Sequence, residues 1–324
     1  MKKNTRILTL ITLLLLFTAT CCSNSPIFAA IEQEVKLKTA SVPGIIRGIV
    51  QIQNTVYVAN GKLFSKTIGD TGSWRSIAVP APCDSIATDG GTLYAAIDGK
   101  GYVLSGSSWQ PIAAKGLAFV TGSGTVFATD GKKLYVLNGT AATDIGDKKG
   151  ILKGAAGAYC MTTTGIYDAS GARIGGPMSE LKAICKGPSE GIFVLAGTML
   201  YAYNGSWTQC AHTVSEPQSV TYLAQKNLVL VSGKEGFEEI KLTAAEANVH
   251  NVHTVKVGSS ESSIEPEHYH QYKNSVGKWN INPIAAFSHQ SGYTLYAGVL
   301  DGQNTKHTGL WGFYHSSQLE WNRE

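Results

Sequence analysis

One short pattern returns along this chain and dictates what it can fold into: a small or turn residue followed by an aliphatic–aromatic–aliphatic run. It reads Thr55-Val56-Tyr57-Val58-Ala59, Thr92-Leu93-Tyr94-Ala95-Ala96, Thr125-Val126-Phe127-Ala128-Thr129, Gly157-Ala158-Tyr159-Cys160-Met161, Gly191-Ile192-Phe193-Val194-Leu195, Asn227-Leu228-Val229-Leu230-Val231 and Thr294-Leu295-Tyr296-Ala297-Gly298. From position 57 the copies are spaced by 37, 33, 32, 34, 36 and 67 residues. The first five gaps are one period with small jitter, and a fixed period in this range is the mark of a repeat architecture.

Each copy sits among further strand signals. Asn60-Gly61, Asp98-Gly99 and Asp130-Gly131 follow three of the copies. Such dipeptides between apolar runs predict two-residue hairpins of type I′, which need positive φ at both central residues. A last short strand is often led by tryptophan, at Trp74, Trp109 and Trp207, and a further strand precedes each copy, as at Asp84–Thr88 and Leu181–Cys185. Four antiparallel strands per period describe one blade of a β-propeller. Helical repeats would show period 3.6, and a sandwich would show no fixed period. The expectation is an all-β, seven-bladed β-propeller, with six or eight blades also compatible, closed radially so that no long sheet edge is left exposed.

The gap of 67 is accounted for by an insertion at about 243–275 in the sixth blade, if Gly277-Lys278-Trp279-Asn280-Ile281 closes that blade. Thr243–Ala247 is the one helix-prone stretch. The seventh blade then runs from Ile284 to Glu324, and Glu34-Val35-Lys36-Leu37-Lys38 is expected to add a strand beside it and fasten the ring.

The N-terminus reads as an export signal: Lys2, Lys3 and Arg6, an apolar or hydroxyl run from Ile7 to Ala19, then Thr20-Cys21-Cys22. That run is shorter than the roughly 20 residues a permanent membrane span needs. Thr18-Ala19-Thr20-Cys21 resembles the lipobox of bacterial lipoproteins, which implies lipidation at Cys21 and a diacyl anchor that holds a protein on a membrane. A cut around Ile27–Ala30, giving a periplasmic or secreted protein, is the competing reading. The organisation is thus a signal peptide at 1–20, a lipidated tether at 21–43 and the propeller at 44–324. Removing the leader lowers 27 basic side chains to 24 against 23 acidic, so the formal charge falls from +4 to +1. A nearly neutral domain offers no bulk electrostatic argument for a nucleic-acid partner.

Function, in a ring of regular blades, belongs to the departures from the repeat. All eight histidines lie beyond residue 211, and four of them, His250, His253, His268 and His270, fall in the insertion near Glu265 and Glu267. Imidazoles beside carboxylates could hold a divalent metal such as zinc or copper; a solvated partner-facing loop is the plainer reading. No other cofactor is expected. Cys83, Cys160, Cys185 and Cys210 admit three disulfide pairings and show no zinc or redox spacing. Gly69-Asp70-Thr71-Gly72-Ser73-Trp74 resembles the Asp box of sialidase-type propellers, a structural motif there, and the few arginines beyond the leader, Arg47, Arg75, Arg173 and Arg323, are the material for a carboxylate-clasping triad. Asn138-Gly139-Thr140 and Asn204-Gly205-Ser206 match a glycosylation sequon but coincide with blade turns.

With leader, Cys21 and blades assembled, the chain resembles bacterial lipidated β-propellers. The style of Val56-Tyr57-Val58-Ala59-Asn60-Gly61-Lys62-Leu63-Phe64 is similar to the PQQ-repeat lipoproteins of outer-membrane assembly, and the Cys21-Cys22 pair with short Gly/Thr-rich blades resembles surface lipoproteins of spirochaetes, among them treponemal propellers that bind fibronectin. The resemblance implies a non-enzymatic, adhesin-like binder of host matrix protein, lipid-anchored at the outer membrane or cell surface, with no catalytic residues. An envelope-assembly scaffold is the alternative, and a sialidase-like hydrolase or a lyase the third reading.

Overall fold

The computed structural model describes residues 42–114, 116–117, 119–147, 149–177, 180–210, 212, 214–234, 236–242, 255–256, 280–302, 308–314 and 318–324. Seven antiparallel sheets follow one another in chain order over 48–77, 83–111, 119–147, 152–168, 181–210, 217–256 and 280–323, each ordered as its strands occur in sequence. The first strand of each sheet packs against the first strand of the next, and that of the seventh (Asn280–His289) returns to that of the first (Gly48–Ile52). This closed circuit of first strands makes a seven-bladed β-propeller. Among the described residues the helical structure is one turn at Ala224–Lys226, and no helix is long and apolar enough to cross a membrane.

The repeated motif is the second strand of every blade. Leu93–Ile97, Val126–Thr129, Ile192–Ala196 and Leu228–Gly233 are buried at every position. A sheet standing radially in a ring has a neighbouring blade on each face, so its inner strands lose the inside–outside alternation of a half-exposed strand and read as continuous apolar runs. Tyr94, Phe127, Phe193 and Tyr296, at one place in the motif, are each no more than 1% exposed.

Among the described residues six sheets have four strands and the fourth has three. Its missing strand is reduced to a bridge between Tyr167 and Arg173, held by Asp168 N–H to Ala172 O at 2.9 Å and Ile174 N–H to Ile166 O at 3.1 Å. Gly171, Gly175 and Gly176 at φ 84°, 76° and 107° take the backbone out of the extended region on both sides of that bridge. The sixth blade also departs from expectation. Its last strand is Val255–Lys256, paired with Glu239 and Glu238, whereas Asn280 and Ile281 pair with Leu300 and Val299 inside the seventh blade. The stretch 243–275 is therefore crossed by a blade strand; Thr243–Ala247 and Trp279 lie outside the described residues.

Of the three Asn/Asp-Gly turns, Asp98-Gly99 alone has both residues at positive φ (50° and 67°). In the others only glycine does, because the side chain closes the turn itself: Asn60 Oδ1 accepts from Lys62 N–H at 3.0 Å, and Asp130 Oδ1 from Lys132 and Lys133 N–H at 2.8 and 2.7 Å.

The ring closes where the described chain begins and ends. Val42 N–H donates to Glu324 O at 3.2 Å, Leu310 N–H to Val42 O at 3.1 Å and Glu324 N–H to Leu310 O at 2.9 Å, while Asn60 Nδ2 reaches Pro43 O from the first blade. Glu34–Lys38 lies outside the described residues.

Candidate functional site at the channel mouth

A second repeat lies just ahead of the first. Where the innermost strand begins in five of the seven blades, the sequence runs apolar, polar, small: Ile46-Arg47-Gly48, Cys83-Asp84-Ser85, Leu152-Lys153-Gly154, Leu181-Lys182-Ala183 and Pro217-Gln218-Ser219. The first residue of each triplet is buried. The pairing register slips between Cys83 and Ser85, Leu152 and Gly154, Leu181 and Ala183, Pro217 and Ser219, and Ile281 and Ile284. These are β-bulges, which set two residues against one and re-aim the side chain of the extra residue. The extra residues are Asp84, Lys153, Lys182 and Gln218, with Asn282-Pro283 in the seventh blade. In the first blade Arg47 N–H bonds Ala59 O at 2.8 Å, although it is Gly48 that stands opposite Ala59.

The small third residue is required by how closely the inner strands approach. A Cβ on Gly48 would lie 2.9 Å from Ile86 Cγ1, and one on Gly154 3.1 Å from Ile184 Cγ2, each in the neighbouring blade. Hydroxyls complete the edges: Ser85 Oγ accepts from Val120 N–H at 3.0 Å, and Ser219 Oγ and Thr221 Oγ1 from Ile284 and Ala286 N–H, each at 3.1 Å. Inner-strand amides that face the axis are thereby satisfied without a ladder partner.

The innermost strands of neighbouring blades run the same way, as the parallel bridges Thr88–Ser123 and Gly124–Gly157 show, so the bulged residues share one end of the ring and form a rim at the axis. Arg47 Nη1 lies 2.7 Å from Asp84 Oδ1 across the first two blades, and Lys153 Nζ donates to Leu181 O at 3.1 Å across the fourth and fifth. The rim is electrically uneven. Arg47 and Asp84 cancel, as a half-exposed pair of small energetic weight. Lys153 and Lys182, by contrast, have no carboxylate within ion-pair distance among the described residues. Beside Lys182 stands His212, both of whose ring nitrogens are buried without a hydrogen-bond partner. Burial, and then the Lys182 charge, push His212 below its ordinary pKa, which favours the neutral imidazole.

The other candidate residues are dispersed. Cys21, His250, His253, His268 and His270 lie outside the described residues; His250 and His253 precede the strand Val255–Lys256 in sequence, and His268 and His270 follow it. Among the described residues no group of three or more His, Cys, Asp or Glu could hold a metal ion. Arg75 and Arg323 lie on the outer strands of the first and seventh blades and Arg173 in the outer bridge of the fourth, whereas Arg47 stands at the inner rim, so the arginines form no common clasp. Asp70 Oδ1 accepts from Gly72 N–H at 2.7 Å in the turn before the last strand of the first blade, and Trp74 is buried beneath it, a structural use of the Asp-box-like segment. Cys83, Cys160 and Cys185 are free thiols. Asn138-Gly139 and Asn204-Gly205 are turns, with φ 56° and 80° at the glycines. The rim is not among the sites expected from the sequence; its signal there is the apolar–polar–small triplet that precedes five of the seven motif copies.

The sequence profile of the TP013X lipoprotein family matches residues 3–110 and 104–324. Two uncharacterized lipoproteins of Treponema pallidum (strain Nichols) are 27% and 26% identical over 94% of this chain, covering 93% and 96% of their own lengths. A third lipoprotein of that strain is 43% identical, over 25% of this chain and 19% of its own. Among solved structures, the extracellular domain of the B. thetaiotaomicron two-component system BT4673 superposes with a TM-score of 0.56 at 14% identity, covering 85% of this chain, which spans only 39% of that one. A catalytically inactive virginiamycin B lyase from Staphylococcus aureus with quinupristin gives 0.55 at 12% identity over 81% of this chain and 94% of the lyase. At these identities the structures share the fold alone.

Proposed function

The chain belongs to the TP013X lipoprotein family, an exported and membrane-anchored class, and from that premise we propose that it is a non-enzymatic binding protein of the cell surface, an adhesin-like partner for a host matrix protein such as fibronectin. Cys21 carries the lipid, and two acyl chains give the stable anchoring that one does not.

The observation that carries this reading is how unevenly the blades are connected. Only 5 residues separate Ile77 from Cys83 between the first two blades, whereas 23 separate Lys256 from Asn280 between the last two, and 13 more lie between Lys241 and Val255. A regular scaffold with its excess length concentrated at one blade is the arrangement expected of a protein that presents loops to a macromolecule. Blade turns closed by their own Asn and Asp side chains, and Arg75, Arg173 and Arg323 held at the outer edges of their blades, fit a scaffold better than a reaction centre.

Three experiments test it. Protease applied to intact cells should cleave the protein; protection until the outer membrane is opened would instead support a periplasm-facing assembly scaffold. Purified protein should bind immobilised fibronectin, and deletion of 257–275, which spares the strand Val255–Lys256, should abolish binding while the β-sheet circular dichroism is kept. Turnover of a sialoside or polysaccharide would overturn the non-enzymatic reading.

A further inference from the structure

We propose that the basic side of the channel mouth, formed by Lys153, Lys182, His212 and Gln218, is a binding site for an oxyanion, either a free ion or the anionic group of a small ligand. None of these four residues belongs to the long connections of the sixth blade, and the test does not depend on the identity of any protein partner.

Three observations converge. Two lysines occupy the bulges of adjacent blades on the rim, and Lys153 Nζ reaches the carbonyl of Leu181, the residue before Lys182. Neither has a carboxylate partner among the described residues, whereas lysines of the flanking third and sixth blades do, Lys133 with Asp144 at 2.6 Å and Lys234 with Glu216 at 2.8 Å. Leaving two like charges together and unpaired costs energy that an anion returns. Next, His212 has no hydrogen-bond partner for either buried ring nitrogen. Buried polar atoms are nearly always satisfied, and an exception calls for a missing partner. A neutral imidazole supplies one N–H to such a partner. Finally, the bulges place Lys153, Lys182 and Gln218 out of strand alternation at one end of the ring. Lys153 keeps N–H groups beyond the one given to Leu181, Lys182 has its full set, and Gln218 adds an amide, so the donor set suits the oxygens of a carboxylate, sulfate or phosphate. Nearby acids do not cancel it: Glu216 is held by Lys234, and Glu180 is exposed.

The test is calorimetric titration of the full chain with sodium sulfate, sodium phosphate and sodium acetate at constant ionic strength. Saturable one-to-one binding of at least one is expected, and which one binds distinguishes a tetrahedral anion from a carboxylate. Lys153→Gln with Lys182→Gln should weaken it by about tenfold or more, the scale of two lost charge-assisted bonds. Lys62→Gln and Lys100→Gln, exposed lysines near second-to-third-strand turns, should leave it unchanged. Both rim lysines are at least partly exposed, so the variants should keep the wild-type thermal midpoint; if the double variant does not, each single variant is read in its place. Absence of saturable binding for all three anions, or equal losses in the rim and control variants, overturns the proposal.

Discussion

Lys66 Nζ lies 2.5 Å from Glu324 Oε2, with the two side chains only 1% and 6% exposed, and this pair joins the first blade to the seventh. Trp74 Nε1 donates to the same oxygen at 2.8 Å and Tyr314 Oη to Glu324 Oε1 at 2.7 Å, while the ammonium stands 5.4 and 5.1 Å from the Trp74 and Tyr314 ring centroids. A buried pair so fully bonded is costly to break from one side, because the surviving charge stays buried. Lys66→Met should therefore lower the unfolding free energy by about 3–5 kcal/mol. Adding Glu324→Gln to it should recover part of that loss. Equilibrium urea unfolding reads both, and a Lys66→Met protein as stable as wild type would remove this pair from the account of ring closure.

Asp130 is a turn clamp with a pH signature. The Lys133 and Lys132 amides, with Tyr135 Oη at 3.0 Å from Oδ2, hold its carboxyl below the ordinary value of 3.8. A folded-state pKa below the unfolded one contributes stability that is present above the unfolded value and is lost as pH falls through the folded one. Asp130→Asn keeps the turn acceptor but not the charge, so the drop in urea midpoint between pH 7 and pH 3 should be smaller than in wild type. An unchanged acid slope would show that this carboxylate does not contribute. Asp89 repeats the arrangement in the second blade: burial raises its pKa, but the Gly91 and Thr92 amides and Tyr94 Oη prevail and hold it low.

The contrast between these turns shows what the sequence made legible. Period, strand order and blade number could be read because each second strand must be apolar on both faces, a demand that leaves a direct imprint on residues such as Tyr94 and Phe127. The choice between a true I′ turn at Asp98 and a side-chain clamp at Asp130 could not, since both are written Asp-Gly-Lys and the decision lies in whether an aspartate oxygen meets the next amides. Blade closure was hidden for a similar reason. Val255-Lys256 is too short to show a period, whereas Trp279-Asn280-Ile281 imitates a closing strand. The rim was legible only as the triplet Leu-Lys-small at 152–154 and 181–183, whose meaning depends on a bulge that one strand alone cannot reveal.

Gly48 tests the close approach of the inner strands. Its missing side chain makes room for Ile86 Cγ1, which would stand 2.9 Å from a Cβ. Gly48→Val overpacks that seam and should cost about 1–3 kcal/mol. Pairing it with Ile86→Ala should restore part of the loss, a rescue that a purely conformational effect at Gly48 would not show. Thermal or urea denaturation of the four proteins in that cycle decides between the two.

The cysteines give a prediction that bears on export. Cys83 and Cys160 are fully buried, and burial pushes both thiols up to about 12; burial raises Cys185 as well. At pH 8 a thiol with that pKa is thiolate in about one molecule in ten thousand, and the thiolate is the species that alkylates or exchanges. The three also stand in separate blades, the second, fourth and fifth. Native protein treated with iodoacetamide should thus show these cysteines unmodified on peptide mapping, with full labelling of all three in urea, and the thermal midpoint should not change on adding a reductant. A peptide carrying a disulfide among Cys83, Cys160 and Cys185, or native labelling as fast as in urea, would mean that export had oxidised or opened blades that the fold keeps closed.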